Sequence, residues 1–152
     1  MIDGQAVVGY RVWGIGYKNE EDKMEKKEKL KSYRELDVWE RAIELVEKIY
    51  ILSREFPAEE KFGLTSQIQR AAISIPANIA EGYGRSHRGD YLHHLSIARG
   101  SLMEVETHLT IAVRLNFIAR EKAIPIWELS QNVGKMLSKL INSLKEKPPP
   151  IP

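Results

Sequence analysis

Apolar residues in the middle of the chain recur every three or four positions, which is the spacing of one face of an α-helix. Four segments follow this pattern: residues 35–55, 58–82, 87–116 and 120–145. Phe56-Pro57 ends the first segment, because the residue before a proline disfavours the helical conformation. Four helices with short connections predict an all-α fold, an antiparallel up-down-up-down four-helix bundle.

Each segment has a stripe of residues that we expect to face one shared core. The first stripe is Trp39, Ala42, Ile43, Val46, Ile49, Tyr50 and Ser53. The second is Leu64, Ile68, Ala71, Ala72, Ile75 and Ile79. The third has a regular seven-residue pattern, Tyr91, Leu95, Ala98, Leu102, Val105, Leu109 and Ala112. The fourth is Trp127, Ser130, Val133, Leu137, Leu140, Ile141 and Leu144.

The second segment has a further apolar flank beside its core stripe, formed by Ile73, Pro76 and Ala80. A helix with two apolar faces is either deeply buried or shared with a neighbouring subunit, so we expect oligomerisation. Pro76 removes the hydrogen bond to the Ala72 carbonyl at a cost of about 3 kcal/mol, and it predicts a kink. Small residues around it would let another helix approach and offset this cost by packing.

The two ends of the chain differ from the helical segments. Four glycines lie within the first 16 residues and a charged run follows, so residues 1–32 are predicted to be a poorly ordered or weakly structured N-terminal extension. Residues 33–146 are assigned to the bundle. Residues 147–152 form a proline-rich tail, which is expected to be extended.

The composition indicates a single-domain protein without disulfides or membrane-spanning segments. The 152 residues are the size of one domain, and cysteine is absent, which excludes disulfides and thiolate metal sites. No apolar run approaches the roughly 20 residues that span a bilayer, and the N-terminus lacks the pattern of a signal peptide. We therefore expect a cytoplasmic protein without a membrane partner.

The net charge of +2 gives no strong overall attraction to nucleic acid, but the distribution of charge is uneven. All six basic residues between positions 62 and 120 are arginines. Arg85, His87 and Arg88 cluster in the turn before the third helix, next to Tyr83 and Tyr91. One interpretation is phosphate contact with a tyrosine stacked on a base; the other is a solvated turn whose arginines pair with nearby acids.

A polar stripe on the second helix includes Arg70, Asn78 and Glu81, and Arg99 lies on the third. Because buried charges must be paired, an Arg–Glu network inside the bundle is the favoured interpretation of these residues. The alternative is a groove that faces a partner.

No residue pattern supports catalysis. The Glu-x-x-His motif of di-metal bundles is absent, and Glu104 with His108 is interpreted as an ordinary side-chain pair on one helix face rather than a metal site. The glycines at positions 84 and 89 match a phosphate loop in spacing, but Asp90 replaces its lysine. We expect no enzyme activity, no cofactor and no bound metal.

Several motifs resemble one known family. They are Asp37-Val38-Trp39 with Ala42, Phe56-Pro57 with Glu60, Phe62-Gly63-Leu64, Gln67 with Arg70-Ala71-Ala72, Ser74-Ile75-Pro76-Ala77-Asn78-Ile79-Ala80-Glu81-Gly82, and Leu95 and Ala98-Arg99-Gly100-Ser101-Leu102 with Glu104. The chain resembles the four helix bundle proteins encoded in intervening sequences of bacterial 23S rRNA genes, over residues 33 to about 145.

The resemblance implies a four-helix bundle that assembles as a homopentamer, and it does not imply an enzyme. The family is similar to the accessory protein of diversity-generating retroelements, which binds a reverse transcriptase and nucleic acid. The residues that stand in the motif blocks, serving packing or binding, are Arg70, Asn78, Glu81, Gly82, Arg99 and Glu104.

Two functional hypotheses follow. The first is an oligomeric protein that associates with nucleic acid, specifically RNA, through Arg85, Arg88, Lys135 and Lys139. The second is an adaptor ring that binds a polypeptide partner such as a reverse transcriptase. Ile73 and Pro76 are the expected subunit-contact residues in either case.

Overall fold

A computed structural model of the chain describes residues 32–146, and they form four α-helices and no strand. The helices are α1 (Asp37–Ser53), α2 (Leu64–Tyr83), α3 (Arg88–Arg114) and α4 (Arg120–Lys145). Short 3-10 helices precede α1 and α2, at Tyr33–Glu35 and Ala58–Phe62. The prediction of an all-α protein with four helices is therefore confirmed. The predictions for 1–31 and for the tail at 147–152 fall outside the described residues.

Three of the four helices begin and end within a few residues of their predicted limits, but the second is shorter. The predicted start at residue 58 is wrong because Gly63 separates the 3-10 helix from α2. The Glu60 carboxylate accepts a hydrogen bond from the Leu64 backbone N–H at 2.8 Å, which satisfies an amide of the first turn of α2. A side chain at Gly63 would displace this carboxylate, so glycine at this position leaves room for the hydrogen bond.

Each helix of the bundle packs against two others: α2 contacts α1 and α3, while α4 contacts α3 and α1. The stripe predicted for α3 is buried except for Tyr91, which is half-buried. The predicted positions on α2 are buried as well, apart from the half-buried Leu64. Pro76 is also buried, and α2 continues through it.

The stripes predicted for α1 and α4 need correction. On α1 the buried residues include Val38, Leu45 and Leu52, whereas Tyr50 is exposed. The buried face of α1 is therefore rotated towards Val38, Leu45 and Leu52 relative to the predicted stripe. On α4 the predicted Ser130, Val133, Leu137 and Ile141 are buried, but Trp127 is 48% exposed and the adjacent Ile126 is buried in its place.

The contact between α2 and α3 is the most extensive in the bundle. Small residues form it: Ser101 Oγ donates to Ser74 Oγ at 2.8 Å. Gly82 lies against α3 so closely that an added Cβ would stand 2.8 Å from the Cβ of His94 and 2.9 Å from the ring of Tyr91. The backbones of the two helices therefore approach closely at this point.

We expect Gly82→Ala to lower the free energy of unfolding by about 2 kcal/mol, because the new methyl group overlaps atoms that cannot move away cheaply. Gly100→Ala is the matched control: nothing lies within 4 Å of its added Cβ, so it should raise stability by about 0.5–1 kcal/mol. Urea unfolding of both variants measures the difference. Equal stability of the two would contradict the close approach of α2 to α3.

Candidate functional site

A cavity of about 430 Å³ opens between α2 and α3, beside the 3-10 helix that precedes α2. Its lining is mostly polar and includes Phe62, Gln67, Arg70, Ser74, Ser101 and Glu104. Arg70 stands on α2 and Glu104 on α3; both are exposed, and neither forms an ion pair within the described residues. The cavity therefore offers a cation and a carboxylate on its two walls.

Phe62 stands on the lining of this cavity with 89% of its surface exposed, the largest exposure among the exposed large apolar side chains of residues 32–146. The short turn that carries it is held by the hydrogen bond between Glu60 and Leu64. The ammonium of Lys61 lies 5.5 Å from the centroid of the Phe62 ring, within the range of a cation–π contact.

The predicted Arg–Glu network inside the bundle is wrong. Arg70, Glu81 and Arg99 are all exposed, so none of these charges is enclosed by the helices. Glu81 instead pairs at the surface with Arg85, over 2.8 Å between Oε1 and an arginine nitrogen. Surface pairs of this kind contribute little to stability. The alternative of an outward-facing groove fits the placement of Arg70.

Asn78 is the member of the polar stripe that joins α2 to α3. Its side-chain amide donates to the backbone carbonyl of Ser74 at 2.8 Å. Its oxygen lies 3.1 Å from Nδ1 of His94, and because an oxygen can only accept, the proton of His94 is assigned to Nδ1. Asn78 therefore has a packing role.

The two tyrosines next to the basic cluster pack against one another. The rings of Tyr83 and Tyr91 meet edge to face with centroids 6.2 Å apart, and Tyr91 also covers Gly82. Burial, and to a smaller extent the nearby Tyr83, raise the pKa of Tyr91 to about 12. Tyr83 and Tyr91 are therefore partly buried by packing, and the ring of Phe62 is more accessible to a ligand than either.

The four basic candidates lie in two places. Arg85 and Arg88 flank the connection between α2 and α3, while Lys135 and Lys139 are exposed one helical turn apart on α4. Arg85 is engaged with Glu81, but the other three have no ion pair within the described part of the chain. Within the described residues, no hydrogen bond or ion pair connects Arg85 or Arg88 to Lys135 or Lys139.

Sequence reasoning named Phe62 and Gln67 as motif residues but did not place them on a cavity, because an exposed aromatic in a turn and a glutamine on a polar stripe have no distinctive pattern. It also missed a contact between α3 and α4, where Glu106 accepts from Ser130 at 2.9 Å and from Gln131 at 2.6 Å. Glu104 and His108 do not pair, and both ring nitrogens of His108 are buried without a hydrogen-bond partner among the described residues.

Two general properties of the described residues bear on the site. They contain no group of three or more histidine, cysteine, aspartate or glutamate residues placed to hold a metal ion. None of their helices is both long and apolar enough to cross a membrane.

Comparison with known proteins identifies the family to which the chain belongs. No curated protein matches the chain. One similar solved structure is a protein of unknown function from the S23 ribosomal protein family of Bacteroides thetaiotaomicron. It is 30% identical, with a TM-score of 0.64, and the match covers 68% of this chain and 97% of that chain. The profile of the family described as 23S rRNA-intervening sequence protein matches residues 34–139. The chain therefore belongs to the 23S rRNA-intervening sequence protein family.

Proposed function

We propose that this chain is a non-enzymatic, oligomeric protein that associates with RNA. The observation that carries the proposal is its membership of a family named for 23S rRNA intervening sequences. The chemistry of the cavity is consistent with binding rather than catalysis. Three serines line it, and two of them, Ser74 and Ser101, bond to one another, so neither of these two is paired with a base that would activate it as a nucleophile.

Three exposed cations support the RNA part of the proposal. Arg88, Lys135 and Lys139 have no ion-pair partner within residues 32–146, so binding a phosphate there breaks no existing pair. Each phosphate contact releases counterions from the RNA, which makes the affinity depend on salt. Three contacts on one protomer are few, but an assembly repeats them in every subunit and multiplies their effect.

The proposed architecture is the antiparallel up-down-up-down bundle. Ser74 of α2 bonds to Ser101 of α3, and Asn78, further along α2, bonds to His94, which comes earlier in α3. The two helices therefore run in opposite directions. A Cβ on Gly134 would meet Leu102 at 3.3 Å, while Ser130 bonds to Glu106, which gives the same relation for α3 and α4. Short connections between consecutive helices are consistent with this order.

Self-association is proposed to use the outer face of α2. Ile73 is 45% exposed there, Ala77 is exposed and Ala80 is half-buried, all on one side of the helix by their spacing. Pro76 does not belong to this strip, because it is buried within one protomer. Removing the strip from water supports assembly, and the family resemblance favours a ring of five copies.

A second candidate function is an adaptor that binds a polypeptide. Trp127 and Ile124 support it, since they lie one turn apart on α4 and are 48% and 41% exposed. Exposed tryptophan is common in the centre of protein interfaces. Binding of this kind depends little on salt, which distinguishes it from phosphate contact.

The first prediction concerns salt. The full chain should bind structured and single-stranded RNA at low salt, and the logarithm of its binding constant should fall linearly with the logarithm of the salt concentration. The triple variant Arg88→Ala, Lys135→Ala, Lys139→Ala should bind more weakly at low salt. Its salt slope should be smaller by about 0.7 for each single-strand phosphate that the protein no longer neutralises. Fluorescence anisotropy across a salt series measures both quantities.

Lys122→Ala is the matched control, because this lysine is already paired with Glu55 at 2.6 Å. It should leave affinity and slope nearly unchanged. Absence of RNA binding by the unaltered chain at low salt would refute the RNA proposal and leave the adaptor as the remaining candidate.

The second prediction concerns assembly. Ile73→Asp should reduce the mass of the assembly towards that of a single chain, because it places a charge in the proposed subunit contact. Light scattering measures the mass. Ile124→Asp is the control: this isoleucine is similarly exposed but stands on α4, which does not pack against α2. A monomeric unaltered protein, or an unchanged mass for Ile73→Asp, would argue against this interface.

A further inference from the structure

We propose that the cavity between α2 and α3 holds one unpaired base of a single-stranded RNA segment, with the base stacked on Phe62. The inference rests on the proposed association with RNA and adds the place and the chemical group that are recognised. Unpaired bases in RNA are commonly bound by stacking on aromatic rings and by hydrogen bonds to their edges. This cavity provides both.

Phe62 provides the stacking surface. The ring is 89% exposed, so it contributes little to the core and its face is accessible to a ligand. The hydrogen bond from Leu64 to Glu60 holds the turn that carries the ring, so the backbone at this position is ordered before binding. Little backbone entropy is then lost when a base stacks on the ring. Every base has an aromatic face, so this contact tolerates any sequence.

The polar lining provides donors and acceptors for a base edge. Gln67 supplies one of each through its amide, and the carboxylate of Glu104 accepts. Ser74 and Ser101 share one hydrogen bond, which uses one of their two hydroxyl hydrogens. The amide of Asn78 donates to Ser74 Oγ at 3.0 Å and uses neither hydrogen. One serine hydroxyl therefore remains able to donate into the cavity.

The charges indicate which part of a nucleotide lies where. Glu104 repels phosphate but accepts hydrogen bonds from exocyclic amino groups, such as N4 of cytosine. Arg70 and Lys61 provide cations for the backbone of the RNA, and neither has an ion-pair partner in the described part of the chain. A base that carries an amino group is therefore favoured over uracil.

The size of the cavity is compatible with one nucleotide. Its volume of about 430 Å³ lies within the ~300–1,000 Å³ typical of small-molecule sites. A polypeptide side chain is the competing occupant. An exposed ring with one cation near its face, a second cation without an ion pair among the described residues and several edge-binding groups together match a nucleotide more completely.

The experiment measures binding of fluorescently labelled single-stranded hexanucleotides of cytidine and of uridine to the full chain at low salt. Phe62→Ala should weaken binding about 5- to 160-fold, the loss of one stacked base, without changing the salt slope because the ring is uncharged. Phe62→Tyr keeps the stacking surface and should bind like the unaltered protein. Ile51→Ala is the control, since Ile51 is 61% exposed and lies outside the cavity.

Glu104→Gln tests the recognition of the base edge. The unaltered chain should bind the cytidine oligonucleotide more tightly than the uridine one, and the variant should lose most of this preference while binding the uridine oligonucleotide as well as before or better. A merely structural role for Glu104 would change both affinities equally, and that result would overturn its assignment to the base.

Three outcomes separate this inference from the function on which it rests. Unchanged RNA affinity for Phe62→Ala, in a protein whose binding depends on salt, overturns the base site and leaves the association with RNA intact. A smaller assembly mass for Phe62→Ala also overturns it, because the ring then lies between subunits. Failure of the unaltered chain to bind either oligonucleotide or structured RNA overturns both.

Discussion

The close approach of α2 to α3 is the constraint on which the rest of the structure depends. Pro76 weakens α2 by removing a backbone hydrogen bond, at a cost of about 3 kcal/mol. The helix nevertheless continues through this residue, which is buried together with Ile75 and Ile79. Near the end of the same helix, Gly82 leaves no room for a side chain against Tyr91, so α2 and α3 approach closely. Packing against α3 therefore compensates for the proline.

The same contact builds the candidate site. Ser74 and Ser101 meet across the two helices, and the walls of the cavity continue from them to Arg70 and Glu104. The cavity is bounded near the start of α2 by Phe62, whose turn depends on Gly63 and on the carboxylate of Glu60. The contact between α2 and α3 thus places a cation, a carboxylate and an exposed aromatic ring around the cavity.

The helices were predictable because a helix buried on one side repeats its apolar residues with a fixed period. α3 follows this rule, and the residues from Leu95 to Ala112 on its predicted stripe are buried. Periodicity was less accurate for α1, whose buried face is rotated from the predicted stripe, and for Trp127, which lies beside the centre of its stripe. The interruption at Gly63 falls at a polar turn, where the apolar pattern gives no signal.

The candidate site was harder to predict than the fold. Periodicity places Arg70 and Glu81 on one side of α2, but it does not reveal whether another helix covers that side. For this reason the prediction of an Arg–Glu network inside the bundle was wrong. The cavity itself requires two helices and a turn to come together, so Phe62 could be recognised as part of a motif but not as an exposed ring beside Arg70.

Native-state hydrogen exchange tests the central claim most directly, because it measures the free energy that opens each backbone hydrogen bond. If packing against α3 stabilises α2 through its proline, the amides of residues 77–82 should exchange only on global unfolding, together with those of residues 98–109 in α3. Exchange of residues 77–82 by local opening, at a free energy well below that of α3, would contradict the account.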